Sequence, residues 1–122
     1  MYYDYNSMTQ EKLRELALTS GNVFVRYCAV DKLTDQETLK CIALKKYEAV
    51  EVRIKAVKRL TDQEALKYLA LNDEEWKIRE IAVDKLTDQE TLEYIVLNDE
   101  HWEVKATAKS SLISIISRKS DN

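Results

Sequence analysis

The pentapeptide Leu-Thr-Asp-Gln-Glu occurs three times, starting at Leu33, Leu60 and Leu86, at offsets of 27 and 26 residues. This period limits the possible folds severely, because a chain that repeats itself builds one local unit and stacks it. Two further landmarks share the period. The basic residue after a Val or Ile falls at Arg26, Arg53, Arg79 and Lys105, and the first leucine after the turn falls at Leu13, Leu39, Leu66 and Leu92. Leu44 to Arg53 spans nine positions where the equivalent stretches span eight. The one extra residue therefore belongs to the loop at 45–49, and the flanking helices keep their register.

Each unit contains two helical patterns. In the first, A, the stripe Ile78, Ala82, Val83, Leu86 has the i, i+4, i+5, i+8 spacing of one helix face. Val25, Ala29, Val30, Leu33 and Val52, Ala56, Val57, Leu60 repeat it. The alanine recurs at Ala29, Ala56, Ala82 and Ala108, where a small side chain lets neighbouring helices approach closely. The second pattern, B, centres on Leu13, Leu16, Ala17; Leu39, Ile42, Ala43; Leu66, Leu69, Ala70; and Leu92, Ile95, Val96. The order B–A thus runs four times from near Thr9 to near Ser117. The expectation is an all-α α-solenoid of helix-pair repeats over residues 9–117, with tails at 1–8 and 118–122.

The turns are written in capping residues. Thr34 with Glu37, Thr61 with Glu64 and Thr87 with Glu90 have capping-box spacing, and Asp35, Asp62 and Asp88 put negative charge in the first helical turn. The pairs Asn72-Asp73 and Asn98-Asp99 read as N-caps of the following A helices. The last A copy lacks the Thr-Asp-Gln turn and carries Thr107 and Lys109 where Ile81 and Val83 stand, which reads as a more polar terminal face. Tyr2, Tyr3 and Tyr5 are expected to fold over the first B helix.

The segment EVRIKAVKRLTDQEALKYLAL resembles the short HEAT-like repeats of the phycobilin-lyase type, with the compact helical leucine-rich-repeat variant a near relative. The likeness covers about residues 9–112, with a unit a few residues shorter and a Thr-Asp-Gln turn in place of a Gly-rich one. The resemblance implies a binding scaffold whose B helices line the concave face. It also implies that a DNA-binding array of this kind would use a cationic surface.

With 122 residues and a net charge of −3, the chain fits one domain and is a poor default match for nucleic acid or acidic membranes. No segment reads as a secretory leader or a membrane span, and Cys28 and Cys41 as lone thiols fit a reducing cytoplasm. No catalytic, cofactor or metal site is expected. His101 is the only histidine and sits in a loop, where a solvated residue is the ordinary case. No Cys/His spacing suits zinc, and no Gly-rich loop suits phosphate.

The partner is expected to be a protein or peptide. The favoured surface is the B-helix stripe carrying Cys41, Tyr68 and Tyr94, flanked by Lys40 and Lys67, because exposed tyrosines serve interfaces well. The alternative is a nucleic-acid surface on the second-unit cluster Lys45, Lys46, Lys55, Lys58 and Arg59. For the ladder Arg26, Arg53, Arg79, Lys105 the expectation is structural pairing with the turn carboxylates Asp35, Asp62 and Asp88. Trp76 and Trp102, at equivalent positions, are expected to pack between units.

Overall fold

Apolar residues at helical spacing, caps between them and no proline produce a run of short helices joined by tight turns. The computed structural model describes residues 3–120. It contains α1 (Gln10–Thr19), α2 (Val23–Lys32), α3 (Gln36–Ala43), α4 (Val50–Arg59), α5 (Gln63–Asn72), α6 (Trp76–Lys85), α7 (Gln89–Asn98) and α8 (Trp102–Ser120). There is no strand among the described residues. Odd-numbered helices carry pattern B and even-numbered helices pattern A, and each B packs against the A that follows it.

The helix pairs form two compact units, Met1–Leu60 and Thr61–Asn122. In the first, α2 packs along α4; in the second, α6 packs along α8. Both contacts run over the recurring alanines, since Ala29, Ala56, Ala82 and Ala108 are fully buried. Within each unit the A helices pack against one another more closely than the B helices do.

The core is the one the periodicity predicts. Leu33, Leu39, Ile42, Val52 and Leu60 are buried in the first unit, and Leu66, Leu69, Ile78, Val83 and Leu92 in the second. No described residue has a positive φ, so every turn is made from right-handed and extended backbone. All the links between helices are three residues long except 44–49, which absorbs the extra residue.

The caps differ by one residue from expectation. Asp35, Asp62 and Asp88 occupy the N-cap position, not the threonines before them. The Asp62 carboxylate accepts from the backbone N–H of Glu64 and Ala65. Asp35 and Asp88 instead accept from the hydroxyls of Thr38 and Thr91, and these bonds hold both carboxyls below their ordinary range. Asn72 and Asn98 do not start A helices. They end the B helices, their side-chain Nδ2 groups donating to the carbonyls of Tyr68 and Tyr94.

A glutamine at the start of each B helix performs a task that sequence reasoning missed. Gln10 donates to the Lys32 carbonyl and accepts from the Thr34 N–H, stapling the turn after α2. Gln63 does the same at Lys85 and Thr87, and Gln36 donates to the Arg59 carbonyl. In the fourth copy α8 continues through the turn position, and its backbone is spent within the helix. Gln89 accordingly bonds to Glu93 and Lys119 instead.

At the N-terminus a 3₁₀ turn, Tyr5–Ser7, packs against α2 rather than α1. Tyr3 stacks at a tilt on Tyr5, and Tyr2 lies outside the described residues.

Candidate functional surface on the B helices

Tyr68 on α5 and Tyr94 on α7 stand at the same phase of their helices, opposite the buried Leu66 and Leu92. They are 55% and 57% exposed. Three residues on, the same face carries Leu71 and Leu97, the latter 77% exposed. Residues i and i+3 are neighbours on a helix surface, so each B helix of the second unit presents a tyrosine–leucine pair. In the sequence these leucines only open the eight-residue stretches that end at Arg79 and Lys105. Their exposure was missed because a leucine at a periodic position is ordinarily core.

Two open hollows flank Tyr94. One is lined by Leu71, Asn98, Arg79 and Asp99, the other by Lys67, Leu71 and Thr91. Lys67 lies 3.8 Å from Asp88 at the edge of the second hollow. In the first unit the equivalent face carries exposed Cys41 and Leu44, with Lys40 half-buried beside them. That unit's apolar exposure lies mainly on its A helices, where Val23, Phe24, Tyr27 and Ile54 line a shallow hollow.

The arginine ladder is structural, but its partners differ from those expected. Arg26 grips Glu48 through Nε and Nη2 and donates to the Ser20 carbonyl. Arg79 pairs with Asp99 at 2.9 Å and 3.2 Å and donates to the Asp73 carbonyl. Both carboxylates belong to the B-to-A loop of the next helix pair, not to the A-to-B turn. Arg53 is buried and donates to the Ala43 carbonyl. Burial pushes the Glu48 carboxyl up, but the Arg26 guanidinium and the Ala49 N–H outweigh that push and hold it below the usual carboxylate range. Sequence alone does not show which loop lies in reach of a given arginine, since that depends on how successive pairs stack.

The cations of the second repeat, Lys45, Lys46, Lys55, Lys58 and Arg59, do not form one continuous surface. Lys55 pairs with Asp31 at 3.1 Å and sits over the Tyr27 ring, and the Asp31 carboxylate raises its pKa above the ordinary lysine value. The Arg59 Nε donates to the Leu33 carbonyl. Lys45, Lys46 and Lys58 are exposed.

The two tryptophans part company. Trp76 is half-buried and stacks flat on His101, centroids 4.0 Å apart and planes 8° apart. Trp102 is 71% exposed and does not pack between helix pairs. His101 is not a solvated loop residue: beneath Trp76, its Nδ1 accepts the Glu103 N–H at the start of α8. Among the described residues no cluster of His, Cys, Asp or Glu suits a metal ion, no buried side-chain polar atom lacks a partner, and no helix is long and apolar enough to cross a membrane. The chain matches no protein-family model, no curated protein and no solved structure.

Proposed function

We propose that the four helix pairs continue as one short α-solenoid of the HEAT-like kind and that it is a scaffold rather than an enzyme. It binds a protein or peptide partner along the outer face of its B helices. The repeat period supports a continuous array, because the Leu-Thr-Asp-Gln-Glu string at Leu60 bridges the two units with the same residues used within them. The observation that carries the binding surface is the exposed patch Tyr68, Leu71, Tyr94, Leu97 on helices whose opposite faces are fully buried. A cluster of exposed large apolar residues, with ring hydroxyls to satisfy at its rim, marks an interaction site.

The test is the double variant Tyr68→Ala with Tyr94→Ala. Folding is expected to stay within about 1 kcal/mol of the parent, because both rings are mostly in solvent. Partner affinity is expected to fall by roughly 2 kcal/mol or more, the scale of an interface hot spot. Retained affinity, measured by calorimetry with a partner isolated on the parent protein, would overturn the assignment of this face.

A further inference from the structure

Each A helix inside a unit presents a side to the next helix pair, and the α6–α8 contact shows what that side holds. Trp76 stacks on His101, Arg79 pairs with Asp99, and Glu80 accepts from Thr107. Val83 and Leu86 are buried on the same side. One repeat later the equivalent residues of α8 are Trp102, Lys105, Ala106, Lys109 and Leu112. No helix pair covers them among the described residues. Trp102 is exposed where Trp76 is stacked, and neither Lys105 nor Lys109 has an ion pair among the described residues. The helix also runs a further two turns, extending the stripe with Ile113 and Ile116, which are 58% and 49% exposed.

We propose that this stripe of α8 is a second docking surface, distinct from the B-helix patch, and that its occupant is an acidic amphipathic helix of another protein. The helix class follows from the internal template, since the same side of α6 is covered by a helix. The charge follows from the stripe itself, whose two charged residues, Lys105 and Lys109, are both basic in a chain whose net charge is −3. An occupant seated like α8 on α6, with a carboxylate just ahead of its helix, would bring that carboxylate to Lys105, as Asp99 in the loop before α8 comes to Arg79. A second copy of this chain stacked end to end fits poorly. Stacking the first helix pair on α8 would offer Ser20 where the inner loops carry Asp73 and Asp99.

The experiment uses the full chain and a short synthetic amphipathic peptide, stapled into a helix, with a leucine stripe flanked by glutamates. Binding is read by fluorescence polarisation. The acidic peptide is expected to bind, and Lys105→Glu with Lys109→Glu to weaken it at least tenfold. A peptide with lysines in place of the glutamates is expected to prefer that reversed variant. Lys45→Glu with Lys46→Glu makes the same charge change elsewhere and is expected to leave binding unchanged, as is Tyr68→Ala with Tyr94→Ala. Circular dichroism of each variant confirms the fold. No binding by the acidic peptide, or binding indifferent to the α8 variants, overturns the proposal. Loss in the tyrosine variant alone places the peptide on the B-helix patch, which sinks this surface and keeps the scaffold reading. Binding of an oligonucleotide or an anionic phosphatidylserine vesicle through Lys105 and Lys109, with none of the peptide, assigns the stripe to another partner class and also overturns it.

Discussion

Glu48, paired with Arg26, ties the stability of the first unit to pH. Glu48 is nearly buried, and its side chain meets Arg26 at 2.9 Å. Its folded pKa lies below the ordinary value, so the pair stabilises the fold fully above about pH 4.3 and less as the pH falls through the depressed value. Stability measured in urea is therefore expected to decline below about pH 4. Glu48→Gln, which cannot titrate, is expected to flatten that decline. Glu48→Ala, leaving a half-buried guanidinium, is expected to cost about 2–4 kcal/mol at neutral pH. The caps make a sharper comparison. Asp62→Ala is expected to cost about 1 kcal/mol, because its carboxylate satisfies two N–H groups at the start of α5. Thr87→Ala is expected to cost less, its hydroxyl reaching only Gln63 at 3.3 Å. Urea midpoints in the reverse order would refute this cap assignment. The turn chemistry was thus legible as a kind but not as a residue. Thr and Asp are both good caps, and only backbone geometry shows which stands at the helix boundary.

At the scale of the element, the helices and their buried stripes were plain in the sequence, because a 3.6-residue period survives in every copy. What joins one element to the next was not. The glutamine staples were invisible although Gln10, Gln36, Gln63 and Gln89 keep the period faithfully. A surface glutamine is usually solvated, and nothing in its type announces a bond to a turn more than twenty residues away. The same limit hid the partners of Arg26 and Arg79 and the difference between Trp76 and Trp102. Phase alone puts the candidate tyrosines on the exposed face, whereas the exposure of Leu71 and Leu97 depends on how the helices pack. The staples support a graded prediction. Gln63→Ala removes two bonds to the backbone of the turn after α6 and is expected to cost about 1–2 kcal/mol. Gln89→Ala touches only side chains and is expected to cost under about 0.5 kcal/mol. Equal thermal shifts for the two would contradict the staple.

Taken as a whole molecule, the chain divides into two compact units that share one repeat, and the proposed solenoid makes a claim about their coupling. Arrays of few repeats gain stability from the interfaces between neighbours, and about three repeats are needed before a core sustains itself. Each unit here holds only two helix pairs. Heating the full chain is therefore expected to give one cooperative loss of helix by circular dichroism, and the fragment 61–122 alone is expected to melt well below it. Two separate transitions, or a fragment as stable as the parent, would show that the units are independent and would remove the solenoid from the proposal.

Gly21 draws out what the all-negative φ angles mean for how such a chain changes over time. Its φ is not in the left-handed region and a Cβ there would meet nothing within 4 Å, so even the sole glycine is dispensable. Gly21→Ala is expected to raise stability by about 0.4–1 kcal/mol by narrowing the unfolded ensemble, which a denaturation midpoint would register. A fold whose turns depend on no special backbone can copy, lose or lengthen a helix pair without first acquiring a residue that only one amino acid can supply. Divergence by duplication then needs little more than the five letters at each junction, and the surfaces are left free to drift toward new partners.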